Sequence, residues 1–170
     1  MKIRYGTTAD AVMLSELGAR TFFDTFANDN TPENMAAYLK NSFSPEIQFG
    51  ELSAHDTIFL IVENDGLPIG YAQLNVDGED ESLQGAKPLE IRRIYAVQEY
   101  LGKGVGKALM LASIREAKQR GCDSICLGVW EKNPRAISFY QKWGFKEVGT
   151  HTFTIGDDPQ RDFIIELVVV

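Results

Sequence analysis

The sequence is poor in the residues that build disulfide frameworks and metal centres, with two cysteines and two histidines in 170 residues. Cys122 and Cys126 are four residues apart, beside and within a predicted strand, with no histidine or second cysteine pair near enough to suggest zinc. We expect both to be reduced core residues. His55 and His151 stand alone, which is typical of surface or locally hydrogen-bonded imidazoles. The sequence therefore predicts neither a disulfide framework nor a metal site.

Long apolar runs and an excess of positive charge are also absent. No apolar run approaches the ~18 residues of a membrane span, and residues 1–5 alternate like a strand instead of forming a signal peptide. The chain has 17 Lys and Arg against 24 Asp and Glu, a formal net charge of -7. This balance argues against a nucleic-acid or anionic-membrane surface and favours cationic partners. We expect a cytoplasmic protein that binds neither nucleic acid nor a membrane.

The sequence does contain a regular succession of strand and helix patterns. Threonine or serine caps followed by Pro32 and Pro45 predict two helix starts, and Asp65-Gly66 predicts a hairpin turn. The remaining patterns predict strands at 2–5, 57–63, 69–76, 89–97, 124–129, 145–153 and 161–169, helices at 9–26, 104–120 and 134–143, and a turn at 156–159.

The segments between these elements are short, and the one long connection, residues 77–88, is acidic and predicted to be a solvated loop. No linker or internal repeat divides the chain. The sequence thus predicts a single α/β domain over residues 1–170, with a mixed, mostly antiparallel central sheet of about seven strands flanked by helices.

The most informative motif is the glycine loop Leu101-Gly102-Lys103-Gly104-Val105-Gly106-Lys107, which joins a predicted strand to a helix. The dinucleotide fingerprint would need a third glycine at Lys107 or Leu109, and the nucleotide P-loop would need a hydroxyl at Ala108. Both motifs are therefore excluded. Free amides at a helix N-terminus, with Lys103 and Lys107 nearby, predict a pyrophosphate site. The alternative is a turn that only joins the two elements.

This loop, the preceding Ile94-Tyr95-Ala96-Val97 and the downstream Asn133, Phe139-Tyr140 and Gly144-Phe145 resemble the GNAT family of acetyl-CoA-dependent N-acetyltransferases. The resemblance covers nearly the whole chain. It implies that the backbone of residues 101–107 holds the pyrophosphate of acetyl-CoA and that residues 94–97 bind its pantetheine arm. It also implies a cofactor contact from Asn133, for which capping of the short helix at Pro134 is the alternative role.

The same resemblance implies that Tyr140 protonates the departing thiolate, which suits a phenol of pKa ~10 facing a thiol of pKa ~8.5. The alternative is that Tyr140 only packs the helix on the sheet. Acetyl transfer needs a neutral amine, so a base or a water chain must remove a proton. Glu90 lies near the strand position of the glutamate base in histone-acetylating relatives. An ion pair with Arg92 or Arg93, or a solvent-facing position on the strand, explains Glu90 nearly as well.

A closer resemblance concerns the bacterial spermidine/spermine acetyltransferases of the PaiA type. It is carried by residues 127–133, His151, Gly156-Asp157, Gln160 and Asp162, and by the N-terminal runs 21–26 and 32–35. It implies a polyamine acceptor. The residues that could attract and contact such an acceptor are Asp24, Asp29, Glu33, Asp77, Phe22, Phe23 and Phe26. The alternative is that the phenylalanines belong to the core and the acidic residues to a solvated face.

One position departs from the family pattern. Leu101 stands where relatives usually have Gln or Arg, so its side chain cannot hydrogen-bond a phosphate. Other functions therefore stay open: acetylation of a peptide N-terminus, an amino acid or another small amine, or sensing of acetyl-CoA without turnover. Relatives of this fold often dimerise, which makes a homodimer an open expectation.

Overall fold

Seven strands form one open sheet in the computed structural model, which describes residues 1–76 and 78–170. The spatial order of the strands is β1-β2-β3-β4-β5-β7-β6. The strands are β1 Lys2–Tyr5, β2 Thr57–Asn64, β3 Leu67–Val76, β4 Pro88–Ala96, β5 Ser124–Trp130, β6 Lys146–Ile155 and β7 Asp158–Val168. The helices are α1 Ala11–Phe26, α2 Pro32–Phe43, α3 Pro45–Ser53, α4 Val105–Gln119 and α5 Pro134–Trp143. The predicted α/β class and seven-stranded mixed sheet are confirmed.

Side-chain caps fix three of the helix starts where the sequence predicts them. The Asn34 N–H donates to the Thr31 hydroxyl at 3.2 Å, and the Ile47 N–H donates to Ser44 at 3.3 Å. Asn133 caps α5 in the same way. Each cap is followed by proline at the first helical position, where its missing N–H has no cost. Local chemistry alone therefore determines these boundaries.

Most predicted boundaries differ from the structure by one to three residues, and two of these differences have a clear physical reason. The first helix was expected from residue 9, but a 3₁₀ turn over Thr8–Asp10 precedes α1, and the Asp10 carboxylate accepts the Thr7 N–H at 2.8 Å. The last hairpin turn is shorter than residues 156–159, because β7 already begins at Asp158. Pro159 fits into β7 because β5 pairs with β7 only from Asp162 onward, so the strand has one neighbour there.

The strands of the sheet pair antiparallel except for β4 and β5, which are parallel. That parallel pairing covers only three residues of each strand, from Pro88 to Glu90 and from Ser124 to Cys126. Immediately afterwards, β4 contains a bulge at Arg92, where its register with β3 shifts. A bulge increases local twist and bends the strand. The two strands therefore part from this point.

Alternate residues of β3 face two helical layers. A Cβ added to Gly70 would lie 2.6 Å from Val105 of α4, so the glycine lets that helix approach the sheet closely. Tyr71 faces the opposite layer, where its hydroxyl lies near Gly18 of α1. The main core lies between the sheet and these helices, and a second cluster contains Phe22, Met35, Phe43 and Ile155.

Residues 78–87, expected to be a solvated loop, are anchored by two carboxylates. Glu166 accepts the N–H groups of Gln84 and Gly85, and Asp123 accepts those of Ala86 and Lys87. The donors are backbone N–H groups, so the residue types in this segment do not predict that it is anchored. Asp77 lies outside the described residues.

Two further sequence expectations concern the cysteines and membrane spans. Cys122 and Cys126 are both buried, at 3% and 5% exposure, which agrees with the expected core role. Among the helices of residues 1–76 and 78–170, none has the length and apolar character needed to cross a membrane.

Candidate active site

A cleft opens where β4 leaves β5. Beyond Glu90, β4 continues to Ala96 with β3 on one side, while β5 continues to Trp130 with β7 on its far side. The edges that β4 and β5 turn towards each other therefore carry backbone groups that no described ladder uses. Ile94, Tyr95 and Ala96 lie on this edge of β4, and the Val97 N–H that follows donates to Ile69 at 2.9 Å.

The glycine loop lies at the end of this cleft, between β4 and α4. A short 3₁₀ turn over Gln98–Tyr100 leads into Leu101, and α4 starts at Val105. Gly102 and Gly104 have φ angles of 77° and 90°, in the left-handed region that favours glycine.

Within the loop, the Leu101 N–H donates to Gln98 at 3.2 Å and the Lys103 N–H donates to Tyr100 at 3.1 Å, so the amides left for a ligand are mainly those of the first turn of α4. The Ala108 N–H donates to Gly104 at 2.9 Å, so the N–H groups of Val105, Gly106 and Lys107 precede the first intrahelical bond. The helix N-terminus also carries partial positive charge. The loop is therefore built to bind an anion.

Side chains around the loop add charge and close contacts. Lys103 lies 5.4 Å from the centre of the Tyr100 ring, and Lys107 is exposed on α4. A Cβ on Gly106 would lie 3.4 Å from Phe139, an ordinary contact distance, so α4 and α5 are neighbours at this point. Leu101 is 39% exposed and offers no hydrogen-bonding group. Backbone amides and lysines are thus the loop's means of holding an anion.

Tyr140 is a residue of α5, is only 7% exposed and packs into the main core, between the rings of Phe139 and Phe145 at 5.3 and 5.5 Å. Burial raises its pKa well above the ordinary value, so the phenol keeps its proton at neutral pH. Tyr140 is also close enough to Tyr95 of β4 that its charge would raise the pKa of Tyr95, which burial already raises strongly. The structure thus brings Tyr140 to the β4 side of the cleft.

Asn133 is confirmed as a cap, since its side-chain oxygen accepts the Ala136 N–H at 3.2 Å. This bond fixes the first turn of α5 and, through it, the direction in which the helix carries Tyr140. Asn133 itself is partly exposed at the end of β5. Its capping role follows from geometry, while contact with a cofactor stays a prediction.

Glu90 lies at a different level of the cleft. It is in the paired part of β4, opposite Cys126 and Asn75. With the bulge at Arg92 taken into account, four strand steps separate it from Tyr95, or about 13 Å. Arg93, one of the ion-pair partners considered for Glu90, is bound instead to Glu51 at 2.9 Å and stacks on Phe43. Arg92 is exposed at the bulge.

Comparison with known proteins identifies the family of this chain. Residues 19–145 match the Acetyltransferase (GNAT) family. The chain belongs to this family. It is 33% identical over 154 residues to an uncharacterised N-acetyltransferase of Lactobacillus delbrueckii subsp. lactis, covering 91% of this chain and 89% of the relative. The protein is accordingly an acetyl-CoA-dependent N-acetyltransferase.

Two further matches, one in sequence and one in structure, cover nearly the whole chain. The spermidine N(1)-acetyltransferase of Thermoplasma acidophilum is 28% identical over 170 residues, covering 98% of this chain and 96% of the relative. The crystal structure of PaiA N-acetyltransferase from Thermoplasma acidophilum, in complex with coenzyme A, matches with a TM-score of 0.78 and 27% identity over 99% of both chains.

The residues of this GNAT domain fit a coenzyme A thioester. The unpaired edge of β4 suits an extended amide-containing arm, and the amides that begin α4 suit a pyrophosphate. Gly102 has nothing within 4 Å of an added Cβ, so the loop surface is open to a ligand. The fit rests on backbone geometry, which explains why Leu101 is compatible with it.

Four residues that the structure brings together beside the cleft received no individual role from the sequence. Gly128 and Trp130 of β5 and Asp162 of β7 share the sheet face of Glu90, with His151 of β6 beside them. A Cβ on Gly128 would lie 3.0 Å from the His151 ring and 3.3 Å from Asp162 Oδ2. One signal was available in the sequence: Asp162 alternates with Ile164 on the inward face of a predicted strand, where a carboxylate is unusual.

The aromatic candidates from the first helix separate into three environments. Phe22 is buried in the core against Tyr38 and Phe43, whereas Phe23 is exposed on α1. Phe26 contacts Trp130, with ring centres 6.1 Å apart. Phe26 is thus the member of this group that reaches the β5 side of the cleft.

The acidic candidates near the same region also differ. Asp29 lines a pocket of about 190 Å³ together with Trp130, Asp158 and neighbouring residues. Asp24 lies 3.9 Å from Arg20, and Glu33 is exposed in the first turn of α2. Across the described ranges, 1–76 and 78–170, no group of three or more His, Cys, Asp or Glu is arranged to hold a metal ion.

Proposed function

We propose that this N-acetyltransferase acetylates a primary amine of a polyamine of the spermidine or spermine class. The observation that carries the proposal is the acidic face beside the cleft, where Glu90 and Asp162 project from β4 and β7 on either side of β5. Asp29, Glu131 and Asp158 add three carboxylates at the outer end of β5, where Lys132 and Arg161 also line the pocket. Such a face favours an acceptor with several positive charges. Likeness to the spermidine N(1)-acetyltransferase of Thermoplasma acidophilum supports the same substrate class.

In this proposal, the cofactor lies along the open edge of β4. Ile94 to Ala96 supply backbone hydrogen bonds to the pantetheine arm, whereas the Val97 N–H and carbonyl are bonded to Ile69 and Tyr100. Within residues 101–107, the amides of Gly102 and of residues 104–107 bind the pyrophosphate, since those of Leu101 and Lys103 are bonded to Gln98 and Tyr100, and the side chains of Lys103 and Lys107 add charge. Acetyl-CoA supplies the acetyl group as a thioester. Asn133 fixes α5 at the cleft through its cap. Holding amine and thioester in one geometry accounts for much of the rate enhancement.

The amine attacks directly. A carbon–nitrogen bond forms to the acetyl carbon while the carbon–sulfur bond breaks. Glu90 receives the proton that the amine loses. Because Glu90 lies about 13 Å along β4 from Tyr95, where the cofactor arm binds, the proton reaches it through a chain of water molecules. Tyr140 gives its phenolic proton to the departing sulfur. The buried phenol is protonated at neutral pH and is therefore in the form that a general acid needs.

A covalent acyl-enzyme on cysteine is disfavoured by the state of Cys126. Burial, with help from the charges of Glu90 and Glu166, raises the pKa of this thiol to about 12. A thiol with such a pKa is protonated at neutral pH and is a poor nucleophile. Direct transfer is consistent with this.

The first experiment measures thiol release from acetyl-CoA with spermidine, spermine, a peptide and a blank without amine. The parent and Tyr140→Phe are compared side by side. Release with polyamines that collapses in Tyr140→Phe supports the proposal. Release with the peptide alone keeps the enzyme class and overturns the polyamine acceptor. Binding of acetyl-CoA without release on any amine overturns turnover altogether and indicates a sensor.

A further inference from the structure

Asp162 is a carboxylate in an unusual environment. It lies in β7, is 9% exposed, and its Oδ1 atom is buried with no hydrogen-bond partner among the described residues. Buried carboxylates normally receive several hydrogen bonds, because an unpaired buried acceptor destabilises the fold. Glu166, four residues further along the same face, follows that rule, with donors from Gln84, Gly85 and Ser124. Asp162 is therefore an exception to the rule that buried carboxylates are hydrogen-bonded within the protein.

The neighbours of Asp162 leave it accessible from the cleft. Gly128 of β5 has no side chain to cover it, and the missing Cβ would lie 3.3 Å from Asp162 Oδ2. Gly128 itself is exposed. His151, opposite Asp162 on β6, borders the same space. The glycine thus forms a notch whose wall carries a buried carboxylate.

Nearby donors on the same strand are engaged elsewhere. The Arg161 guanidinium donates to Glu131 at 2.9 Å. The Gln160 amide donates to Asn30 and Asp158, both at 3.0 Å. These bonds turn the two side chains that precede Asp162 in sequence towards other acceptors.

The position of Asp162 relates it to the reaction. Its strand partner on β5 is Trp130, which lines the pocket of about 190 Å³ at the outer end of the cleft. Glu90 lies towards the closed end, opposite Cys126. Along β7, four steps separate Glu166, the partner of Cys126, from Asp162, or about 13 Å. A linear acceptor with more than one charged nitrogen can span such a face.

We propose that Asp162 is the acceptor-binding carboxylate of this enzyme: it accepts hydrogen bonds from an ammonium group of the substrate other than the amine that is acetylated. This inference rests on the proposed function and adds the residue that selects multiply charged acceptors. Gly128 provides the space through which that ammonium reaches Asp162. The ammonium group supplies the donor that Asp162 lacks, in a charge-assisted hydrogen bond shielded from water.

The test compares Asp162→Asn with the parent and with Glu147→Gln. Glu147 is exposed on β6 and pairs with Ile165, on the opposite sheet face, so this control removes one negative charge away from the cleft. Spermidine and hexylamine are the acceptors, and the affinity for acetyl-CoA and the Tm are measured for each variant. We expect the KM for spermidine to rise at least about tenfold in Asp162→Asn, with kcat within about threefold of the parent. The preference for spermidine over hexylamine falls by the same factor, and Glu147→Gln resembles the parent.

A second variant, Gly128→Ala, keeps the carboxylate and fills the notch in front of it. We expect the same selective rise in the KM for spermidine. If Asp162→Asn does not fold, this variant tests the role of Asp162 in its place. An unchanged preference for spermidine in folded Asp162→Asn would overturn the role of Asp162. Equal losses for both amines in Gly128→Ala would also count against it. Failure of the proposed function is a separate result, because the parent itself would then release no thiol with any polyamine.

Discussion

Glu166 of β7 accepts the backbone N–H groups of Gln84 and Gly85 at 2.8 and 2.9 Å, and so joins the sheet to the segment that leads into β4. The Ser124 hydroxyl donates to the same carboxylate at 2.7 Å. Glu166 is 5% exposed, so these bonds are shielded from water. They hold the connection next to the short stretch where β4 and β5 pair.

Replacing Glu166 by Ala should therefore destabilise the protein strongly. Three donors lose their shared acceptor, and we expect the free energy of unfolding to fall by on the order of 3 kcal/mol. Urea unfolding measures this change, with Glu147→Ala on the exposed edge strand as the matched control. A loss below about 0.5 kcal/mol, typical of surface substitutions, would show that the anchoring bonds contribute little.

The contrast between caps and anchors shows what the sequence can predict. Thr31, Ser44 and Asn133 act on backbone atoms three residues away, so their pattern is local and three helix starts are predictable from it. Gly102 and Gly104 likewise mark a loop whose conformation only glycine adopts readily.

Long-range relations were not predictable. The parting of β4 and β5 depends on a bulge and on which strands pair, and neither has a signature in residue type. Glu166 and Asp162 lie on the same face of one strand, yet one is saturated with hydrogen bonds and the other is not. That difference arises from residues 84 and 85, about eighty positions away in the chain.

Tyr140→Phe should lower kcat by about 100-fold or more while leaving the affinity for acetyl-CoA and the Tm nearly unchanged, because only a hydroxyl is removed. The loss should shrink when the leaving thiol is more acidic, since such a thiolate departs without a proton. Steady-state kinetics with thioesters of graded thiol pKa measures this dependence. A constant loss across the series would contradict proton donation and favour a packing role.

Gly104→Ala and Gly106→Ala form a matched pair in the loop. Gly104 has a φ of 90°, so alanine there is strained by about 1–2 kcal/mol although nothing crowds its Cβ. Gly106 lies within the first turn of α4, where alanine is a better helix former. We expect Gly104→Ala to weaken acetyl-CoA binding about tenfold and Gly106→Ala to keep the stability of the parent. Calorimetric titration and thermal unfolding measure both, and equal behaviour of the two variants would contradict the importance of the left-handed turn.

Asp162→Asn should change the pH dependence of stability in a direction fixed by burial. Burial raises the pKa of Asp162 above 3.8, and the charge of His151 partly opposes that rise. The unfolded chain ionises at the ordinary value, so the fold is favoured by this group at pH values below about 3.8 and loses that advantage as pH rises through the higher folded pKa. Asparagine cannot ionise and carries no such loss. Urea unfolding between pH 4 and 7 should therefore find a difference in stability that is smallest at pH 4 and grows in favour of Asp162→Asn towards neutrality. A variant that is less stable than the parent at pH 7 would mean that the Asp162 carboxylate stabilises the fold, and would contradict a carboxylate kept for a ligand at the expense of stability.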